Sequence, residues 1–260
     1  MTHSNMAFEH WVAELEQRHL TDLRVPEVTR ALRALSSAYV ERRHTVARGG
    51  PLASAGKRAA FALFYAPLHF LSTRHVVESL GAHQPPPSAI LDVGCGTGAA
   101  GSAWATSAGG TPAVTGIDRH PWAVSEARWT YRALGVRGTA RQGDASRAAL
   151  YGPPMLKAGS GAIAAYVLNE LREATRLRVE AQLFAAAARG VRVLILEPIA
   201  RGVAPWWDAT ARRVVEAGGR ADDWRCEIDL PPLLRLLDKA AGLNHRELTV
   251  RSLWLPGAVR

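Results

Sequence analysis

Three glycines at every second position, Gly94, Gly96 and Gly98, follow an acidic residue, Asp92. The apolar run before the glycines is typical of the end of a buried strand, and the small residues after them predict the start of a helix. Such a turn leaves unpaired backbone N–H groups at the helix start, which attract an anionic group, and the missing side chains let a ligand touch the backbone. The stretch therefore predicts a ligand-binding loop.

Further polar residues recur where later predicted strands end, at intervals of about one strand and one helix. They are Asp118, Asp144, Asn169, Glu170 and Glu197. In open parallel sheets, ligands bind beyond the carboxyl ends of the strands. We therefore expect these side chains to line one edge of one sheet, together with Asp92.

The elements that position these residues fall into two parts. Residues 6–80 place apolar residues at three- and four-residue steps and predict helices, the third of which is expected to kink near Pro67. From residue 89, β-rich runs alternate with helical runs, which predicts crossovers in a mostly parallel sheet. We predict a helical N-terminal extension or lid over residues 1–86 and an α/β domain, with helices on both faces of the sheet, over residues 87–260.

Residues 88–200 resemble the class I S-adenosylmethionine-dependent methyltransferases, whose most recognisable motif, D-x-G-x-G-x-G, stands at 92–98. The resemblance implies a Rossmann-like sandwich and an enzyme that binds S-adenosyl-L-methionine and releases S-adenosyl-L-homocysteine. It also implies roles for the residues named above. Gly94, Gly96 and Gly98 would pass beneath the methionine part, Asp92 would help hold its amino group directly or through water, Asp118 would bind the ribose diol, and Asp144 would receive the adenine amino group with Ala145 beside the ring.

A closer resemblance involves the segments YVLNEL (166–171), LILEP (194–198) and ALSSAYVERR (34–43). They are similar to the ribosomal small-subunit methyltransferase-like family, whose mitochondrial members act in small-subunit assembly. Those members carry a cysteine cluster for an iron–sulfur centre, whereas this chain has only Cys95 and Cys226. The nine histidines include no metal-binding pair of the H-E-x-x-H kind, so we expect no metal.

Three acceptors stay open at this point. Ribosomal RNA or another component of the small ribosomal subunit fits the family resemblance and the net charge of +9. A small molecule fits a helical lid that closes over a pocket beneath residues 57–80. The third alternative is a ribosome-assembly factor that binds the cofactor without catalysis. An open groove lined by arginines would favour RNA, and the candidates for it are Arg132, Arg137, Arg141 and Arg147.

The catalytic candidates are Asn169 and Glu170, which follow the fourth strand, where this fold presents groups to the methyl. The alternative for Glu170 is a cap on a helix that begins at Leu171. His69, on the third predicted helix, is a candidate base above the acceptor, and helix packing is its alternative role.

Composition bounds the remaining possibilities. Two cysteines indicate no disulfide framework and fit a reducing cytoplasm. The first twenty residues carry charges and form no apolar leader, and the most apolar window, 59–71, is too short to span a bilayer. We therefore expect a cytoplasmic protein with no membrane partner.

Overall fold

The computed structural model describes residues 3–41, 52–144, 146, 156–199, 204–243 and 245–257. Strands from these residues form one seven-stranded sheet in the order β3-β2-β1-β4-β5-β7-β6, in which only the pairs made by β7 are antiparallel. The predicted mostly parallel sheet is confirmed. The strands are β1 Ala89–Val93, β2 Ala113–Asp118, β3 Gly138–Gln142, β4 Gly161–Ala165, β5 Arg192–Glu197, β6 Arg220–Glu227 and β7 Glu247–Leu255.

Helices cover both faces of this sheet, as predicted. Successive strand residues point to opposite faces, and in β1 Ile90 joins one hydrophobic cluster while Leu91 and Val93 join another. The first cluster includes α1, α2, α5, α6 and α9, and the second includes α7 and α8. The helices are α1 His3–His19, α2 Val25–Glu41, α3 Ala55–Ala60, α4 Ala66–Ser79, α5 Ala99–Ser107, α6 Pro121–Ala133, α7 Glu173–Ala187, α8 Trp207–Glu216 and α9 Pro232–Ala240.

Helices α3 and α4 are joined by a π-helical turn, Phe61–Tyr65, and together they form the lid helix, residues 55–79. We predicted an irregularity near Pro67, and the structure places it in the turn just before that residue. A proline has no N–H and its ring crowds the carbonyl four residues back, so the preceding turn widens to relieve the contact. Among the helices of the described ranges, none is long and apolar enough to cross a bilayer.

The N-terminal helices share a core with the sheet. The ring of Phe8 in α1 stacks on Phe70 of the lid helix at 5.2 Å, and Trp11 packs beside both. These side chains belong to the same buried cluster as the strand residue Ile90. The boundary between residues 86 and 87 stays a prediction.

A buried carboxylate fastens α1 to α6. Glu126 is 1% exposed, and its Oε1 lies 3.1 Å from Nε of Arg18 and 2.7 Å from Nε2 of His19. Burial raises the pKa of Glu126, but hydrogen bonds and charges from His19 and Arg18 outweigh burial and hold this pKa below its usual value. The end of α1 is thereby held beside the strand ends.

Candidate active site

The three glycines of the loop after β1 have positive φ angles but different surroundings. A Cβ on Gly94 would lie 2.3 Å from Cγ2 of Val167, and one on Gly98 would lie 2.7 Å from Cε1 of Tyr131. A Cβ on Gly96 would meet only ring carbons of Phe61, at 3.8 Å. Gly94 and Gly98 are thus required by the packing of the protein itself, and Gly96 is the glycine whose open side faces the lid helix.

Asp92 points into the protein. It is 1% exposed, and its Oδ2 accepts a hydrogen bond of 2.9 Å from the backbone N–H of Gly101 in α5. Burial raises the pKa of Asp92 to about 7, and the hydrogen bond from Gly101 only partly offsets this effect. Asp92 therefore fastens the glycine loop to the helix that follows it.

Asp118 and Asp144 lie at the ends of neighbouring strands, β2 and β3. Oδ2 of Asp118 accepts a 2.9 Å hydrogen bond from the N–H of Gly96, and the backbone carbonyl of Asp118 accepts one from Gly143. Asp144 is the next residue after Gly143, and its Oδ1 accepts hydrogen bonds from the hydroxyl and the backbone N–H of Ser146. The structure therefore brings both carboxylates to the edge beside the glycine loop. Ala145 lies outside the described residues.

Tyr166, the first residue after β4, was not singled out as a site residue from the sequence. It has a φ of +60°, which is strained for a residue with a side chain. Its ring stacks on His69 with centroids 3.9 Å apart, and its hydroxyl shares a 2.8 Å hydrogen bond with Ser72. The sequence signal that could have identified Tyr166 is its position between β4 and the polar residues Asn169 and Glu170.

Asn169 and Glu170 lie in a 3-10 turn, Leu168–Glu170, just beyond Tyr166. The N–H of Asn169 donates to the buried carboxylate of Glu197 at 3.1 Å, and Oδ1 of Asn169 is buried with no hydrogen-bond partner among the described residues. Burial, and then the negative charge of Asp118, raise the pKa of Glu170 to about 8. The negative charge of Asp118 therefore acts on Glu170 across the ends of the strands.

Glu170 is not the cap of the helix that follows. We considered a helix beginning at Leu171, but α7 begins at Glu173 with Arg172 at its N-cap position. The chain between the 3-10 turn and α7 is extended at Leu171. The capping role is therefore wrong, and the carboxylate of Glu170 is available at the sheet edge.

The lid helix crosses these strand ends in the order in which they neighbour one another. At β2, the charge of Arg58 acts on His120, whose pKa is lowered by burial and then by Arg58. At β1, Phe61 faces the glycine loop. At β4, His69 covers Tyr166, and burial lowers the pKa of His69 to about 3, so its imidazole is neutral at physiological pH.

The arginines considered for an RNA groove do not share one edge. Arg137 precedes β3 and donates a hydrogen bond to the carbonyl of Thr111, which precedes β2. Arg132 lies in the last turn of α6, which runs back from the carboxyl end of β2. Both therefore lie at the amino ends of the strands, away from the glycine loop. Arg141 is exposed within β3, and Arg147 lies outside the described residues.

No group of three or more His, Cys, Asp or Glu side chains in the described part of the chain is arranged to hold a metal ion. The two cysteines, Cys95 and Cys226, are free thiols. The polar groups at the strand ends are thus carboxylates and one amide, arranged around a glycine loop.

The chain was compared with protein families, curated sequences and solved structures. Residues 90–154 match the family described as a methyltransferase domain. No curated protein sequence matches the chain. The chain is similar to the solved structure of the plantazolicin methyltransferase BpumL in complex with SAH. The alignment has a TM-score of 0.50 and 10% sequence identity, and it covers 94% of this chain and 100% of BpumL.

Two further solved structures have lower TM-scores of 0.47. The first is magnesium protoporphyrin IX methyltransferase (ChlM) from Synechocystis PCC 6803 with bound SAM, which is 16% identical. The alignment covers 72% of this chain and 79% of ChlM. The second is the methyltransferase domain of bacterial CtHen1, which is 17% identical. The alignment covers 72% of this chain and 97% of the CtHen1 domain. The matched domain begins in β1 and contains the glycine loop, Asp118 and Asp144. The chain therefore has a Rossmann-like fold, and its residues 90–154 match a methyltransferase domain, which supports the activity of an S-adenosylmethionine-dependent methyltransferase.

Proposed function

We propose that this methyltransferase acts on a small molecule that binds beneath the lid helix. The observation that carries the proposal is the path of that helix over the ends of β2, β1 and β4, through Arg58, Phe61 and His69. A helix across the strand ends encloses an acceptor and excludes water, whereas a nucleic-acid duplex needs an open, basic face. The positions of Arg132 and Arg137 at the opposite edge favour the enclosed acceptor.

The residues at the edge fit the cofactor. Gly96 offers bare backbone, and Asn169 Oδ1 is a buried acceptor without a partner among the described residues. We assign the loop to the methionine part, Asp92 to the support of that loop, and Asp118 to the ribose hydroxyls. Asp144 and Ala145 are assigned to the adenine. When bound, S-adenosylmethionine supplies a methyl group on a positively charged sulfur.

Glu170 takes the proton that the acceptor loses. Methyl transfer from a sulfonium is an in-line displacement, so the protein mainly aligns the nucleophile and keeps water out. A base is most efficient when its pKa lies near the working pH, and the pKa of Glu170, about 8, meets that condition. The amide of Asn169 orients the acceptor.

His69 has a different role from the base predicted for it. An imidazole with a pKa of about 3 takes up a proton poorly at physiological pH. Its stacking on Tyr166 and its edge contact with Phe61, 6.1 Å between ring centroids, make it a wall of the acceptor site. We therefore assign His69 to positioning and Glu170 to proton transfer.

The test is incubation of the purified protein with methyl-tritiated S-adenosylmethionine and an extract of its source cells. The extract is then separated into RNA, protein and metabolites. We expect label in the metabolites, and we expect the loss of that label with Glu170→Gln, which controls for other methyltransferases in the extract. Label in ribosomal RNA or ribosomal protein would replace the small molecule with a ribosomal acceptor. Cofactor binding with no label in any fraction would indicate a non-catalytic assembly factor.

A further inference from the structure

We infer that the aromatic side chains where the lid helix meets the strand ends make the cofactor site prefer the positively charged S-adenosylmethionine to the neutral S-adenosylhomocysteine. This aromatic wall consists of Phe61, Tyr65, His69 and Tyr166. The inference rests on the cofactor site assigned above and goes beyond it, because it concerns how the site distinguishes cofactor from product.

The wall is continuous from the glycine loop to the end of β4. Ring carbons of Phe61 lie 3.8 Å from the position of a Cβ on Gly96. The rings of Phe61 and His69 meet edge to face at 6.1 Å, with an interplanar angle of 81°. His69 in turn lies flat on Tyr166, with an angle of 14°. Two consecutive ring contacts thus connect Phe61 beside the glycine loop to Tyr166 at the end of β4.

Hydrogen bonds fix two of these rings. The hydroxyl of Tyr65 lies 3.0 Å from Oγ of Ser36 in α2, and the hydroxyl of Tyr166 lies 2.8 Å from Oγ of Ser72 in the lid helix. The wall is therefore held in place before any ligand arrives, which reduces the entropy lost on binding.

The charges around this wall favour a cation. The faces of aromatic rings carry negative electrostatic potential and attract cations. His69 adds no positive charge at physiological pH because burial keeps it neutral. The negative charge of Asp118 acts on Glu170 across the strand ends, so this charge lies close to the wall and adds negative potential. A sulfonium is therefore stabilised here, and an uncharged thioether is not.

The preference has a consequence for turnover. Transfer of the methyl group to the acceptor leaves the sulfur with its lone pair, and the acceptor's proton passes to Glu170. The cofactor loses its positive charge in the same step. The wall attracts the cofactor before transfer and loses that attraction afterwards, so exchange of product for fresh cofactor is favoured.

The test is calorimetric titration of the full chain with S-adenosylmethionine and with S-adenosylhomocysteine. The readout is the ratio of the two dissociation constants, product over cofactor. We expect Phe61→Leu to lower this ratio about tenfold, in the range of one cation–aromatic contact. We expect Phe61→Tyr, which keeps an aromatic face, to retain the ratio.

Phe8→Leu is the matched control, because Phe8 is a buried aromatic residue of α1 that packs on Phe70. It lowers stability without altering the wall, and its ratio should equal that of the wild type. If Phe61→Leu does not fold, His69→Leu provides the same comparison. An unchanged ratio in the folded wall variant, or an equal fall in the Phe8 control, would overturn the inference. An acceptor other than a small molecule would leave the ratio as expected, so the two proposals fail separately.

Discussion

Alanine substitutions at Gly96 and Gly98 separate packing from ligand binding within one motif. Both residues have positive φ, +51° and +81°, so alanine at either costs about 1–2 kcal/mol in backbone strain. At Gly98 the new methyl also lies 2.7 Å from Tyr131, whose side chain is fully buried, which adds about 1–3 kcal/mol of overpacking. At Gly96 the nearest atoms are 3.8 Å away, an ordinary contact. We expect Gly98→Ala to be less stable than Gly96→Ala by about 2 kcal/mol.

Thermal unfolding and calorimetry measure the two effects independently. A difference of about 2 kcal/mol corresponds to roughly 4–8 °C in Tm for a chain of this size. We expect Gly96→Ala to lose most of its affinity for S-adenosylmethionine despite its milder destabilisation, because its methyl projects from the loop toward Phe61. Equal Tm values for the two variants would refute the packing argument. Full cofactor affinity in Gly96→Ala would refute the assignment of the open glycine to the ligand.

Three further outcomes follow from carboxyl groups whose pKa values are shifted. The methyl-transfer rate should rise with pH through about 8 as Glu170 ionises, and the pH–rate profile of Glu170→Gln should lack that rise. Glu126→Gln should lower the free energy of unfolding by about 2 kcal/mol at neutral pH. Because the folded-state pKa of Glu126 is lowered, urea titrations should show this difference above the ordinary glutamate pKa and its loss as the pH falls through the lowered value. Asp92 has a raised folded-state pKa of about 7, so wild-type Tm should fall relative to Asp92→Asn as the pH rises toward 7; parallel melts would contradict the burial of Asp92.

Local patterns were sufficient to predict a mostly parallel sheet, whereas the pairing of its C-terminal strands was left open. The apolar runs of β1, β4 and β5 form buried strands because such runs, bounded by glycine and polar residues, have few other ways to bury their side chains. Parallel strands joined by helices then place their carboxyl ends together, which is why Asp118 and Asp144 lie on neighbouring strands as expected.

The directions of individual side chains and the position of the lid helix could not be predicted from the sequence. Asp92 and Asp118 look alike as acidic residues at strand ends, yet Asp92 turns inward to Gly101 because it lies within β1, one residue before the strand ends. The path of the lid helix depends on long-range contacts such as His69 on Tyr166, which no local spacing encodes. The strained backbone of Tyr166 likewise results from tertiary contacts, so the residue was missed.

The widened turn at Phe61–Tyr65 has a mechanical consequence. An α-helix advances about 100° per residue, and a π-helical turn holds one residue more than an α-helical turn. Moving this extra residue one position along the chain would rotate the side chains that it passes by roughly that angle. Phe61, at the beginning of the turn, would then rotate away from Gly96 while α4 stayed packed on α5. The contact between the lid helix and the glycine loop would thus change by rotation about the helix axis, with the helical hydrogen bonding on either side kept intact.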